Sequence, residues 1–342
     1  MNTLKYHKNA LAALFGIILC FCLILFAEVC LWAIDRLTQD NRQQLDRVYA
    51  QDYRQTDENG IPMAKTGSHR SFLKNMDTGE YIYDVNYTID EFGRRVTIVP
   101  GREQRDQYIL FMGCSFMYGE GVQDNETLPF HVGRMTTEYL PYNYAFHGLG
   151  PFDLLAKLEN LDLRSQVQEK DGLLIYLFMD DHVKRVTGAM SVMKWKGNQV
   201  YYAVDHQGDF VRHGSFNTGR SFLTPLYKIL LKSRILRYFN VDIPKIGTSH
   251  IELTAKVIEA MKNEYQKKFG SEKFYVFIKS KSWIGQRLAE QLDARGIKNF
   301  NIESIFADGD RELYRLSADD GHPSALAQQM MAEKIVQDLQ LQ

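Results

Sequence analysis

The sequence lacks an excess of charge of either sign, and it lacks any long basic run. Its 342 residues contain 41 Lys and Arg against 42 Asp and Glu, which gives a net charge of -1. A nucleic-acid partner is therefore not indicated, because binding to a phosphate backbone takes a basic face or stripe. Internal repeats and low-complexity segments are absent as well, so the chain is a candidate for one large domain or two small ones.

Cysteine is scarce beyond the N-terminus. Of four cysteines, Cys20, Cys22 and Cys30 lie in the first 30 residues, and only Cys114 lies beyond them. A single cysteine forms no internal disulfide, and no Cys/His cluster has the spacing of a zinc site. The sequence implies no metal and no organic cofactor, and its cysteines do not decide the compartment.

An apolar run is the first positive feature. Residues 10–27 are all uncharged, and the run continues past Glu28 to residue 34. As a helix, residues 10–34 would span about 37 Å at ~1.5 Å per residue, which is enough to cross a bilayer with some tilt. We predict a short cytoplasmic tail over residues 1–9 and an uncleaved transmembrane helix over residues 10–34. Glu28 is either a group that binds a partner or a carboxylate near the membrane interface.

A cleaved signal peptide is the main alternative for this run, because Lys5 and Lys8 precede it. The run is longer than an ordinary signal-peptide core, however, and no small-residue cleavage site closes it. Basic residues lie on both sides, with Arg36, Arg42 and Arg47 after the run. Charge asymmetry alone therefore does not decide the orientation.

The rest of the chain divides into two regions that differ in their pattern of polar and apolar residues. Residues 35–104 are polar and irregular, with one predicted strand at 81–87, and we interpret them as a stalk and a lead-in segment. From residue 108 short apolar strands alternate with helices, which favours a parallel sheet covered by helices on both faces. The predicted strands are 108–112, 142–146, 172–178, 273–279 and 299–302. The predicted helices are 127–139, 151–164, 221–239, 251–269, 285–295 and 324–339.

Residues 190–220 interrupt this rhythm and are predicted to be an insertion beside the active site. Residues 193–202 have the pattern of a hairpin that turns at Gly197 and Asn198. The helix predicted over 221–239 is basic and amphipathic. It either packs on the core or lies on a membrane surface.

Two sequence motifs contain candidate catalytic residues. The first is FMGCSFMYGEG, residues 111–121, which begins where the first predicted strand of the sheet ends. Open α/β sheets place ligands at that edge, so the Ser115 hydroxyl would be exposed to a substrate. The motif is not the G-x-S-x-G elbow of α/β-hydrolases, because Met117 replaces the second glycine. Cys114 is an alternative nucleophile, but we interpret it as a small packed residue.

The second motif is LSADDGHPSA, residues 316–325, which precedes the last predicted helix. It places acidic residues and His322 in one loop, with Ser324 as a helix cap. A serine nucleophile needs an imidazole base that a carboxylate holds in one tautomer. One short loop would supply both groups.

Together the motifs resemble the SGNH/GDSL hydrolase family, over roughly residues 105–342. That family has Gly-x-Ser after the first strand and an Asp three residues before the catalytic His near the C-terminus, which fits Ser115, Asp319 and His322. Asp320 is the alternative orienting carboxylate, at the shorter Asp-x-His spacing of related acyltransferase-like proteins. The resemblance implies a three-layer α/β/α sandwich with a mainly parallel five-stranded sheet, preceded here by the transmembrane helix.

The resemblance also implies an oxyanion hole. The backbone N–H of Ser115 and that of Gly148, in NYAFHGLG (143–150), match the family's donors. After the third strand the family has Gly-x-Asn-Asp, whereas this chain has FMDDH (178–182), so Asp180 replaces the asparagine and is a doubtful donor. We expect Asp180 to turn away, with His182 or a backbone N–H donating instead. His147 and His182 either line the pocket or are buried structural histidines.

The function implied by the resemblance is a serine esterase that removes O-acyl groups, acetyl first, from an envelope glycan or another ester. The alternatives are an O-acetyltransferase of cell-surface polysaccharide, with a membrane-protein partner that supplies the acyl group, and a non-catalytic glycan-binding or assembly protein that retains the fold. The expected location is the bacterial inner membrane, as a single-pass protein whose domain faces the periplasm or the outside.

Overall fold

The computed structural model describes residues 2–38, 45–49, 53–306 and 311–341. Parts of the predicted stalk, residues 39–44 and 50–52, lie outside the described residues. The helices are α1 (Asn2–Thr38), α2 (Ser115–Tyr118), α3 (Leu128–Met135), α4 (Pro151–Asn160), α5 (Asp181–Thr187), α6 (Met193–Lys196), α7 (Phe216–Gly219), α8 (Leu223–Leu230), α9 (Arg234–Tyr238), α10 (Thr248–Phe269), α11 (Trp283–Asp293) and α12 (Ala325–Leu339). The strands are β1 (Leu45–Tyr49), β2 (Arg54–Thr56), β3 (Pro62–Ala64), β4 (Gly67–Asn75), β5 (Tyr81–Ile89), β6 (Gln107–Met112), β7 (Tyr139–Asn143), β8 (Asp171–Met179), β9 (Val200–Val204), β10 (Phe210–Ser215), β11 (Phe274–Lys279), β12 (Asn299–Asn301), β13 (Arg315–Ser317) and β14 (Asp320–Pro323).

A five-stranded sheet forms the centre, in the order β12-β11-β8-β6-β7, and all of its pairings are parallel. Strands β6 and β8 are apolar along nearly their whole length because helices cover both faces of the sheet. Helices α4, α5 and α11 each pack against α10, whereas α3 and α12 pack against each other. The expected three-layer α/β/α sandwich with a parallel five-stranded sheet is therefore confirmed.

The segment interpreted as stalk and lead-in contributes to this domain. Strands β1, β4 and β5 form an antiparallel sheet, and Arg95 bridges the end of that sheet to Asn143 of the central one. Tyr53 and Tyr87 are buried in the same apolar core as the central strands. Residues 53–104 are therefore part of the packed domain and contribute side chains to one side of the site.

The edge strand β7 begins earlier than predicted, at Tyr139 rather than 142. Helix α3 ends at Met135, and Thr136 is already extended, so the chain enters the sheet sooner. Pro141 is tolerated in β7 because an edge strand leaves one row of N–H groups without a strand partner. Beyond β7, the N–H of Tyr144 donates to the carbonyl of Phe111 at 2.9 Å, which brings the next loop to the end of β6.

The predicted hairpin turn at Gly197 and Asn198 is wrong. Residues 193–196 form the helical turn α6 instead, because Lys196 is buried and its Nζ lies 2.6 Å from the buried Asp153 carboxylate. The hairpin is β9–β10, and it turns at Asp205, whose carboxylate accepts hydrogen bonds from the N–H groups of Gln207 and Asp209 at 2.8 and 3.0 Å.

The single helix predicted over 221–239 is two helices, α8 and α9. Ser233 separates them, since its hydroxyl caps α9 by accepting from the N–H of Leu236 at 3.2 Å. The apolar helix α1 is longer than residues 10–34. Its segment Leu11–Leu37 is long and apolar enough to cross a membrane, and none of the window that passes this test is buried.

Candidate active site

Ser115 lies at the carboxyl edge of the sheet, three residues after the end of β6, where it starts α2. Its first turn leaves backbone N–H groups without intrahelical partners, and they face whatever binds at the serine. Gly113 is required in this turn because a Cβ there would lie 2.8 Å from the Cβ of Met117. The chain thus delivers the serine to the sheet edge through a turn that no larger residue fits.

The structure brings His322 to Ser115. The Nε2 atom of His322 lies 2.8 Å from the Ser115 hydroxyl oxygen. On the other side of the ring, Nδ1 lies 2.5 Å from a carboxylate oxygen of Asp320, which also accepts the His322 backbone N–H at 3.0 Å. This is the geometry of a serine nucleophile, an imidazole base and an orienting carboxylate.

The carboxylate in contact with the His322 ring is that of Asp320, the predicted alternative, whereas the family spacing predicts Asp319. Asp320 and His322 are alternate residues of strand β14, so their side chains point to the same face. Asp319 lies in the turn between β13 and β14, where its side chain is exposed and its backbone N–H donates to the Ser317 hydroxyl at 3.2 Å. The buried Asp320 is therefore the carboxylate that reaches the imidazole.

A buried amide fixes the serine turn to the last helix. The side chain of Gln328, on α12, donates to the carbonyl of Phe116 at 3.0 Å and accepts the N–H of Leu128 at the same distance. The ring of Phe116 packs against the His322 imidazole, with centroids 5.2 Å apart. Helices α12 and α3 thus hold the nucleophile and base in register.

Arg95 holds the loop that follows Ser115. The guanidinium is buried, and it donates to the carbonyls of Tyr118, Gly119 and Val122 at 3.1, 2.5 and 2.6 Å. It also forms an ion pair with Asp124 at 2.8 Å. Because one planar cation binds three of its carbonyls, the loop is held in a single conformation. Sequence reasoning did not identify Arg95, which lies outside the motifs.

A second carboxylate–histidine pair lies behind the serine. Glu120 Oε2 is 2.6 Å from Nδ1 of His147 and 3.5 Å from Nε2 of His322. Both Glu120 and His147 are almost completely buried. Glu120 stands in the first motif, yet it was not predicted as a site residue. The available signal was an acidic residue and a histidine after the two neighbouring strands β6 and β7.

Tyrosines from the lead-in segment close this second pair off. Tyr53 Oη is 3.4 Å from Nε2 of His147 and also hydrogen-bonds the hydroxyl of Tyr118. Burial raises the pKa of Tyr53 well above its usual value, and burial together with the Glu120 charge raises the pKa of Tyr87 to about 12. Burial lowers the pKa of His147 despite the nearby Glu120 charge. His147 is therefore a buried histidine rather than a residue of the open pocket.

Gly148, the expected oxyanion donor, directly follows His147. It is half-buried at a positive φ of 73°, and a Cβ there would lie 2.9 Å from the ring of Trp195. The Trp195 ring is 47% exposed, and the Arg185 guanidinium lies 5.5 Å from its centroid. An exposed aromatic ring of the insertion thus covers Gly148, a contact that sequence reasoning did not predict.

Asp180 lines a cavity of about 470 Å³ together with Phe116 and Gly321, which flank the nucleophile and the base. Its Oδ1 is buried and has no hydrogen-bond partner among the described residues. Asp180 therefore contributes to the wall of this cavity, with one of its carboxylate oxygens buried. Lys279 and Lys281 line the same cavity, and both are near Glu303, at 2.8 and 3.8 Å.

Two further candidates are structural. The His182 ring is fully buried, with Nδ1 2.6 Å from the hydroxyl of Tyr176, so it does not replace the missing asparagine. Cys114 is buried with its sulfur 3.3 Å from that of Met179, as expected for a packed residue. Among the described residues, no group of three or more His, Cys, Asp or Glu side chains is arranged to hold a metal ion.

No protein-family model matches the sequence, and no curated protein matches it either. The chain is similar to solved structures of GDSL and SGNH proteins. A lipolytic protein of the G-D-S-L family from Desulfitobacterium hafniense is 12% identical, with 67% of this chain and 98% of that one covered and a TM-score of 0.38. An acetyl xylan esterase from Butyrivibrio proteoclasticus is 11% identical, with coverage of 78% and 67% and a TM-score of 0.40. At such identities and TM-scores the likeness decides neither activity nor substrate.

Proposed function

We propose that this chain is a serine-dependent acyl-transfer enzyme that hydrolyses esters. The observation that supports this most is the continuous contact from Ser115 through His322 to Asp320, at 2.8 and 2.5 Å. With its proton on Nδ1 and donated to Asp320, His322 leaves Nε2 free to accept the proton of Ser115. Hydrogen bonding and charge thereby activate a hydroxyl that is otherwise a weak nucleophile.

In the proposed reaction the Ser115 oxygen attacks the ester carbonyl while His322 takes the hydroxyl proton. Asp320 stabilises the imidazolium that forms. The backbone N–H groups of Ser115 and Gly148 would donate to the oxyanion. Collapse of the tetrahedral intermediate releases the alcohol, which takes the proton from His322. Water then attacks the acyl-enzyme while His322 takes its proton. The bond between the acyl carbon and the Ser115 oxygen breaks, the acid leaves, and His322 returns the proton to Ser115.

For substrate we propose an O-acetyl ester of an envelope glycan. The cavity beside the serine is open and partly polar, with lysines and a carboxylate in its wall. Trp195 supplies an exposed aromatic face next to Gly148. Such a face suits the apolar side of a sugar ring, and the polar wall suits its hydroxyl groups.

Acetyl transfer to a sugar hydroxyl is the second candidate function, because it would use the same Ser115, His322 and Asp320 with a sugar hydroxyl in place of water. A carboxylate where the resembled family has an amide donor would oppose the negative charge of the oxyanion in either reaction. Transfer would need an acyl donor, which a membrane-protein partner would provide.

The test compares the full chain with Ser115→Ala and Cys114→Ala. We expect hydrolysis of 4-nitrophenyl acetate to fall by several orders of magnitude in Ser115→Ala, as when other triads lose their nucleophile, and to persist in Cys114→Ala. Release of acetate from an acetylated polysaccharide, measured with the same variants, tests the substrate class. A Ser115→Ala protein as active as the wild type would overturn the proposal.

We also propose that α1 anchors the chain in the bacterial inner membrane, with the domain outside the cytoplasm. The support is the length and apolar surface of Leu11–Leu37, whose most apolar window contains no buried residue. A reporter that is active only after export, fused behind Gln342, should be active. Activity of a strictly cytoplasmic reporter at the same position would contradict this orientation.

A further inference from the structure

Helices α8 and α9 present large apolar side chains to solvent. Phe222, Ile229, Tyr238 and Phe239 are 80, 64, 72 and 69% exposed. Soluble monomers rarely display aromatic side chains in such a group, and surfaces of this kind mark sites where another surface docks. We call this group, with α8 and α9 themselves, the α8–α9 surface.

The same surface is strongly basic. Residues 220–245 contain six Lys and Arg and one acidic residue, Asp242. Exposed cations interleave with the exposed apolar side chains, namely Lys228, Lys232, Arg237 and Lys245. Aromatic and basic side chains mixed on one face are typical of segments that lie in a membrane interface.

A groove of about 740 Å³ runs along this surface. Its lining includes the apolar side chains of Leu230, Leu236 and Ile246 and the charged ones of Lys184, Arg237, Lys245 and Asp242. A lining that is apolar and carries three cations against one carboxylate is complementary to the acyl chains and anionic head groups of phospholipids. The groove therefore points to the same partner as the exposed side chains.

Helix α1 fixes where this surface stands relative to a membrane. Glu28 caps α9: its carboxylate accepts the N–H groups of Arg234 and Ile235 at 2.8 and 3.3 Å and hydrogen-bonds the Ser233 hydroxyl. A second contact joins Arg234 to Asp35 at 3.2 Å. The N-terminus of α9 is thus attached to α1 by its backbone and by an ion pair.

The position of Glu28 along α1 indicates the level at which α9 lies relative to the membrane. It follows 18 uncharged residues, 10–27, which span about 27 Å as a helix, close to the ~30 Å hydrocarbon thickness of a bilayer. If residues 10–27 cross the hydrocarbon core and the remainder of Leu11–Leu37 lies in the head-group layer, Glu28 and the bound end of α9 lie at the membrane surface. The exposed aromatic side chains of α9 then stand at the level of the lipid head groups.

We propose that the α8–α9 surface docks on the anionic bilayer that α1 enters, with Phe222, Tyr238 and Phe239 in the interface and the lysines and arginines on lipid phosphates. This proposal rests on the proposed membrane anchor. Its consequence is that the domain lies against the membrane at a fixed height. The active site then binds substrates close to the bilayer, because the docked domain does not move freely at the end of a stalk.

The test places a spin label at Phe239→Cys in the full chain, reconstituted in phosphatidylcholine vesicles that contain phosphatidylglycerol. Cys20, Cys22 and Cys30 are replaced by alanine, and Cys114 stays because it is buried. Ile98→Cys is the matched control, since Ile98 is an apolar side chain, 74% exposed, in the lead-in segment. The measurement is the collision rate of the label with oxygen, which enriches in lipid, and with a water-soluble nickel complex.

We expect the ratio of oxygen to nickel collisions to be several-fold higher at position 239 than at 98. The triple change Lys232→Glu, Arg237→Glu and Lys245→Glu should reduce that ratio at position 239 to near the value at 98. Vesicles without phosphatidylglycerol should also lower it. Equal ratios at positions 239 and 98 in the anionic vesicles would overturn docking.

Two further outcomes separate the possible failures. If the chain floats with the vesicles but the label at 239 meets the nickel complex freely, the anchor stands and docking is wrong. If the label at 239 is shielded from both reagents, a protein surface covers it, and a second copy rather than lipid is the partner. A chain that does not float with the vesicles would overturn the anchor and the docking together.

Discussion

Two carboxylate–histidine pairs lie within one site and have opposite surroundings. In each, a carboxylate oxygen contacts Nδ1 of the ring, at 2.5 Å for Asp320 and His322 and at 2.6 Å for Glu120 and His147. The His322 side chain is 16% exposed and its Nε2 meets the Ser115 hydroxyl. The His147 side chain is 3% exposed and its Nε2 meets the hydroxyl of Tyr53.

The difference shows that contact with a carboxylate is not enough to make a histidine a catalytic base. What matters is the group at the second nitrogen and the access of substrate to it. An aliphatic hydroxyl at the edge of an open cavity is a nucleophile, whereas a buried tyrosine of raised pKa is a hydrogen-bond partner. We therefore propose that the first pair acts in catalysis and that the second supports the loop after Ser115 and, through Glu120, the positive charge that forms on His322.

The largest expected effect on activity distinguishes Asp320 from Asp319, the two aspartates of the β13–β14 hairpin. Asp320→Asn should lower kcat for an aryl acetate by roughly 10²–10⁴, because an amide stabilises the wrong tautomer of the imidazole. Asp319→Asn is the matched control and should be nearly as active as the wild type, since its side chain is exposed in the turn. Equal, mild losses in both variants would show that neither carboxylate orients His322.

A smaller effect is expected at the third carboxylate of the site. Asp180→Asn should raise hydrolysis of the aryl acetate by about tenfold, because an amide donates to the oxyanion where a carboxylate opposes it. Asp181→Asn, the exposed neighbour, is the control. An unchanged rate in Asp180→Asn would mean that the carboxylate lines the cavity without facing the developing charge.

The second pair is tested by Glu120→Gln. The carboxylate lies 3.5 Å from Nε2 of His322, so it stabilises the protonated ring that forms when Ser115 attacks. We expect kcat to fall by roughly tenfold with little change in KM, because this interaction exists only after proton transfer. Glu91→Gln, at an exposed turn, should be unaffected. A loss confined to KM would assign Glu120 to substrate binding instead.

The smallest expected effect concerns stability and a third histidine, which has no carboxylate partner among the described contacts. Burial lowers the pKa of His182 well below 6.5, so the folded state binds fewer protons than the unfolded state as pH falls below that value. Its contribution to stability is thus present above about pH 6.5 and is lost at lower pH, by at most ~1.4 kcal/mol per pH unit. His182→Asn keeps a partner for Tyr176 and should flatten this dependence.

The measurement is the free energy of unfolding between about pH 7 and 5, from denaturant titrations of the wild type and the variant. His206→Asn, in the exposed turn of the β9–β10 hairpin, is the control and should retain the wild-type slope. A wild-type slope in His182→Asn would show that other groups cause the acid sensitivity.

Much of the fold could be predicted because its signals are local. Five apolar strands, each followed by a helix or a Gly/Ser turn, indicate a parallel sheet, and they place Ser115 at its carboxyl edge. The choice between Asp319 and Asp320 was not local. It depends on whether residues 320–323 form a strand, where alternate residues share a face, and only pairing with β13 makes them one.

The other errors have the same cause. Lys196 appeared to be part of a polar hairpin, but its ion pair with the distant Asp153 folds residues 193–196 into a helical turn. Arg95 and Glu120 act through carbonyls and rings from separate parts of the chain. No periodicity in the sequence encodes such contacts, which exist only after the lead-in segment packs on the sheet.

The most direct test of the central claim is to map the adduct of a fluorophosphonate probe on the full chain by mass spectrometry of its peptides. The account predicts one adduct, on Ser115. It also predicts no labelling in Ser115→Ala, slow labelling in Asp320→Asn, and wild-type labelling in Asp319→Asn and Cys114→Ala. An adduct on a different residue, or a wild-type protein that the probe leaves unmodified while a known serine esterase in the same sample reacts, would contradict it.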